Sequence, residues 1–211
     1  MITLLCFGDS NTWGFNPATG ERYPVDVRWP GVLRNELGDD YRVIEEGLNG
    51  RTAVEGNPLY GFSNGKADLG ATLANHCPVD LVILMLGTND LIMRFSVSPY
   101  DVGEGIDVLL DIIHHSGAGP GGGNPAILLL APPPIGSLAD ETETLAGVVA
   151  QSHLFAERYM SIAADFGCAF LNAGEVIRSS DIDGFHLEAS EHMKLGLTVA
   201  ERVRAILAGA G

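Results

Sequence analysis

The chain has 211 residues, 46% of them hydrophobic and 18% charged. That balance excludes a disordered chain and suits a single domain, residues 1–211, with a sizeable core. Lys plus Arg number 12 against 27 Asp plus Glu, and the formal net charge of −15 repels a phosphate backbone, so no nucleic-acid partner is expected.

The first apolar run, residues 2–7, reads as a strand, and it stops abruptly at Gly8-Asp9-Ser10-Asn11. Glycine permits a tight turn at the strand end. Ser10 then begins a turn or helix, where backbone N–H groups are free. Taken alone, Ser10 reads first as a helix cap and second as a nucleophile. Trp13 and Phe15 flank it and read first as a pocket wall and second as ordinary core. Residues 29–37 carry Trp29, Val32, Leu33 and Leu37 at helical spacing. Residues 42–46 form the second strand, followed by Gly47-Leu48-Asn49-Gly50-Arg51. Gly50 offers a backbone N–H with no side chain in the way, although a plain turn is its default reading.

A helix follows over residues 65–76, then a third strand over residues 81–86, ending in Gly87-Thr88-Asn89-Asp90. The Asn89 amide is a donor suited to a developing oxyanion, and an Asx-turn is its plainer role. Residues 101–115 repeat apolar side chains at helical spacing and end in His114-His115, read as solvated. A Gly/Pro-rich loop, residues 117–125, leads to the fourth strand, residues 126–131. One long helix is expected over residues 143–166, then a fifth strand over 168–171. Asp183 and His186 stand three apart with Gly184 between them. They either fold back as a carboxylate–imidazole pair or are a solvated acid and a surface histidine. His192 reads as a surface residue at the start of a final helix that carries Leu197, Val203 and Ile206. Residues 53–64, with Pro58, Tyr60 and Phe62, read either as a border of the entrance or as a surface loop without a substrate role, and the apolar run 91–95 as cover for either a partner or the chain's own pocket.

The expected class is α/β. Strands and helices alternate, and three of the strand runs are continuously apolar, as in parallel strands covered on both faces. The result is a doubly wound, flavodoxin-like, five-stranded parallel sheet. Ligands bind such a sheet beyond the carboxyl ends of its strands, where all the polar candidates fall. The three cysteines, odd in number and widely spaced, argue against a disulfide framework, and no structural metal is expected. No apolar run reaches the ~20 residues of a membrane span and no basic leader is visible, so a cytoplasmic protein without a membrane partner is expected.

GDSN at 8–11, LNG at 48–50, GTND at 87–90 and DGFH at 183–186 together resemble the four blocks of the SGNH hydrolase, or GDSL esterase, superfamily. FGDSNTWG, DVRWPGVL, EEGLNGRT and MLGTND resemble its bacterial arylesterase and acyltransferase branch. The resemblance implies a three-layer α/β/α sandwich. It implies Ser10 as nucleophile, His186 as base and then acid, and Asp183 orienting it. The Ser10 and Gly50 backbone N–H groups and the Asn89 side chain would form the oxyanion hole. Asp9, Asn11 and Trp13 are expected to bind substrate. The implied partner is a small ester, acetyl esters especially, with no cofactor, and the implied assembly is a homo-oligomer, with an octamer among the forms known in the branch. A sugar-specific acetylesterase and a non-catalytic binding module on the same fold remain the alternatives. A nucleotide-binding role is disfavoured, because neither a P-loop nor a well-placed G-x-G-x-x-G motif is present.

Overall fold

The computed structural model describes residues 1–56, 64–93, 98–136 and 143–209. In chain order the elements are β1 (Ile2–Gly8), α1 (Ser10–Trp13), α2 (Trp29–Leu37), β2 (Tyr41–Gly47), α3 (Gly65–His76), β3 (Leu81–Met85) and α4 (Thr88–Met93). There follow α5 (Pro99–His114), β4 (Ala126–Ala131), α6 (Glu143–Ser152), α7 (Phe155–Phe166), β5 (Ala169–Asn172) and α8 (Ala189–Ala208). The five strands are all parallel in the order β2-β1-β3-β4-β5. That order reverses between β1 and β3, and the crevice at such a reversal is where open α/β sheets bind ligands.

Side chains alternate across a strand, so β1 feeds two cores. Leu4 and Cys6 pack with Trp29 and Leu33 of α2 and with Leu195, Val199 and Val203 of α8. Leu5 and Phe7 face the other way, onto Leu69 and Leu73 of α3, Ile106 and Leu110 of α5, and Tyr159 and Ile162 of α7. Both faces are therefore covered, and the architecture is the expected three-layer α/β/α sandwich. No described helix is long and apolar enough to cross a membrane.

Three expectations are corrected. The stretch 143–166 is two helices rather than one. The Ser152 hydroxyl donates to the Val149 carbonyl and accepts from the Ile135 N–H, and a new helix starts at Phe155. A serine that serves two backbone groups in this way competes with continued helix. The second correction is His192, which is buried rather than at the surface. Its Nδ1 accepts the Trp29 N–H at 3.3 Å, and its ring meets Tyr23 edge-on at 5.4 Å. Burial first, then the charges of Arg28 and His186, lowers its pKa from 6.5 to about 3. The α5 helix also begins earlier than residue 101, because Ser98 and Asp101 form a reciprocal capping box with Pro99 at the first position. Pro58, Tyr60, Phe62, Arg94 and Phe95, singled out in the sequence, lie outside the described residues.

Candidate active site

β1 delivers Ser10 through a turn that only small residues allow. A Cβ at Gly8 would lie 2.2 Å from Thr12 Oγ1 and 2.7 Å from the Met85 carbonyl oxygen. A Cβ at Gly47, where β2 ends, would lie 2.1 Å from the Trp13 nitrogen. The α1 turn thus sits directly on the ends of its neighbouring strands. Asp9 caps it, accepting the Asn11 N–H at 2.9 Å, and Gly14 ends it in the left-handed region at φ 89°.

Asp183 and His186 approach from the segment before α8. Gly184, at φ 77°, lets this segment fold back on itself. Asp183 Oδ1 accepts the N–H groups of Phe185 and His186 at 2.9 and 3.0 Å, while Oδ2 meets His186 Nδ1 at 2.6 Å. Burial pushes the Asp183 carboxyl up, but the hydrogen bonds from the His186 ring and the two backbone N–H groups outweigh it, and its pKa ends below 3.8. An ionised carboxylate can only accept, so Nδ1 carries the proton and Nε2 faces Ser10 Oγ, 3.0 Å away, as an acceptor. Phe15 covers the imidazole with a ring separation of 4.1 Å.

Gly50 stands three residues past the end of β2 with φ 74°. Asn89 is the second residue of α4, and its Nδ2 donates to the Arg51 carbonyl at 3.1 Å, which leaves a second amide N–H for another acceptor. The next residue, Asp90, accepts the Ala53 N–H on both oxygens at 3.0 and 3.1 Å. The loops after β2 and β3 are therefore laced together.

The remaining expected residues are placed as follows. Asp9 is buried, and desolvation raises its pKa to about 6 against the Asn11 N–H and the charges of His186 and Arg51. Asn11 is also buried, and its amide donates to the Phe185 carbonyl at 3.1 Å. Trp13 lies 6.5 Å from Phe15, with the Arg22 guanidinium 5.2 Å from its ring centre. His114 and His115 are exposed, as expected. One residue the sequence reading passed over is Arg51. It is 5% exposed, and its guanidinium donates to the Gly8 and Glu46 carbonyls. Its one signal in the sequence was an arginine directly after Gly50, four residues past the end of β2.

A sequence model of the GDSL-like lipase/acylhydrolase family matches residues 6–192. No curated protein matches the chain. Among solved structures, the native aryl esterase of M. smegmatis is 38% identical, with a TM-score of 0.90 over 97% of this chain and 99% of that one. A carbohydrate acetylesterase from Sinorhizobium meliloti is 36% identical, with a TM-score of 0.90 over 98% of this chain and all of the other. A lipolytic G-D-S-L family protein from Veillonella parvula, 14% identical with a TM-score of 0.66, shares the fold.

Proposed function

Because this chain belongs to the GDSL-like lipase/acylhydrolase family and is a carboxylic ester hydrolase, we propose that it works through an acyl-enzyme on Ser10. The observation that carries the reading is the unbroken chain of short contacts from Asp183 to His186 to Ser10. Nε2 of His186 takes the Ser10 proton as Oγ attacks the ester carbonyl. The proton cannot pass on to Asp183, which stabilises the imidazolium by its charge instead. Negative charge builds on the carbonyl oxygen and is met by the N–H groups of Ser10 and Gly50 and the free N–H of Asn89. The tetrahedral intermediate collapses as His186 returns the proton to the leaving alkoxide, and the alcohol departs. Water repeats the sequence on the acyl-enzyme and frees the acid; an alcohol in its place gives transesterification.

The acyl group proposed is small, acetyl above all. The support is the likeness to an aryl esterase and to a carbohydrate acetylesterase. The leaving group is an aryl alcohol or a sugar, and rates on acetylated sugars against p-nitrophenyl acetate decide between them. Self-association into a homo-oligomer is proposed from the family resemblance and is checked by analytical ultracentrifugation.

The first test is release of p-nitrophenol from its acetate by the wild type and by Ser10→Ala. The variant is expected to lose at least about 10³-fold in kcat while circular dichroism stays unchanged. Equal turnover by both proteins would remove Ser10 as the nucleophile.

A further inference from the structure

The three oxyanion donors of the proposed site lie on three separate loops, after β1, β2 and β3. Nothing in a parallel sheet fixes such loops relative to one another once the strand ladders end. The β1–β2 ladder ends at the pair Gly8–Gly47. Beyond it, the Gly8 carbonyl accepts two donors: the Leu48 N–H at 3.1 Å and Arg51 Nη1 at 2.9 Å. The same Nη1 also donates to the Glu46 carbonyl, on the neighbouring strand. On its other edge the guanidinium meets Asp68 Oδ2 of α3 at 3.3 Å, and its Cζ lies 4.2 Å from the centre of the Phe7 ring. The main chain of Arg51 reaches further still. Its N–H donates to the Leu48 carbonyl at 3.1 Å, closing the turn that contains Gly50. Its carbonyl accepts the Asn89 amide at 3.1 Å.

We propose that Arg51 is a positioning residue that holds the oxyanion donors of Ser10, Gly50 and Asn89 in one register. The inference rests on the reading of Ser10 as the nucleophile. Gly8 stands two residues before Ser10, Gly50 is the residue before Arg51, and Asn89 is hydrogen-bonded to it, so each donor lies within two residues or one hydrogen bond of a group that Arg51 fixes. A guanidinium is suited to this place because its planar fork presents several donors at fixed angles, whereas a lysine offers a single point charge. The Arg51 carbonyl occupies one N–H of Asn89 and thereby aims the other. Catalytic donors displaced by about 1 Å lose on the order of 10² in rate, so the effect of Arg51 falls on the chemical step rather than on binding.

The test is a double-mutant cycle on p-nitrophenyl acetate with R51M, N89A, the double variant, R51K and, in parallel, S10A. R51M is expected to lower kcat about 100-fold with KM changed less than about threefold, and R51K to restore about tenfold of that loss. Asn89→Ala is expected to lose 10²–10³ alone, and the double variant to lose about tenfold less than the product of the two single losses, because one of the donors that Arg51 holds is already gone. An unchanged kcat in R51M, or effects that multiply in the double variant, overturns the proposal. If R51M does not fold, the cycle is run with R51K, and independent effects there overturn it equally. Activity retained by S10A brings down the reading of Ser10 and this proposal with it. An inactive S10A with independent Arg51 and Asn89 effects removes Arg51 alone.

Discussion

Asn11 is subject to two opposing influences. Its Nδ2 ties the Ser10 turn to the Phe185 carbonyl, one residue before His186, while its buried Oδ1 has no hydrogen-bond partner among the described residues. Asn11→Leu removes both. The lost hydrogen bond costs about 1 kcal/mol, and relief of the unpaired oxygen offsets a similar amount. Urea unfolding is therefore expected to move by less than about 1 kcal/mol. Turnover is expected to fall about tenfold, since Ser10 and His186 lose their cross-tie. A stability loss in proportion to the activity loss would make Asn11 a packing residue only.

At the level of elements, two contacts matter to the site. The first is α1 on the end of β2. Gly47→Ala puts a methyl against the Trp13 backbone, which has no rotamer to yield, so α1 must move. A stability loss of about 1–3 kcal/mol is expected, with a larger proportional fall in turnover in the folded protein, measured by chemical denaturation and initial rates. The second contact is α2 on α8, where His192 lies buried. Its folded pKa of about 3 lies below its ordinary value of 6.5, so between these pH values the unfolded chain binds a proton that the native state refuses. This contribution is complete above pH 6.5 and is lost as pH falls toward 3. Asp9 works in the opposite sense: its raised pKa of about 6 lets the native state take a proton first, so its penalty eases as pH falls from 6 toward 3.8. A difference measurement separates the two. The drop in unfolding free energy from pH 7.5 to 5 is expected to be smaller by about 2 kcal/mol in His192→Asn than in the wild type. An identical drop in both would show that His192 titrates normally.

Across the whole molecule, charge is the dominant long-range feature. A net −15 on 211 residues repels itself in the compact state. Raising salt from about 0.01 to 0.15 M shortens the screening length from about 30 to about 8 Å. A rise of a few degrees in Tm is expected by calorimetry, although screening also weakens ion pairs such as Arg204–Glu36. A falling Tm would mean that such pairs outweigh the repulsion. Locally the balance differs, because Glu45 on β2 is met by Arg22, Arg28 and Arg34 together.

The sequence by itself determined the class of the fold and the candidates for chemistry. Continuous apolar strands need cover on both faces, and residues such as Leu4 and Leu5 do serve two different cores. The polar blocks were legible because each follows a strand directly, and a parallel sheet sends all strand ends to one edge. Tertiary structure alone decided what touches what. Asp183 and His186 are neighbours in sequence, but Ser10 meets His186 across 176 positions. His192 carries the same polar side chain whether exposed or buried, and only the packing of α2 against α8 put it inside. The break at Ser152 depends on the distant Ile135 N–H. Arg51 looked like a loop residue because its role is set by carbonyls at the end of the β1–β2 ladder, and a ladder's end is a property of the sheet rather than of either strand.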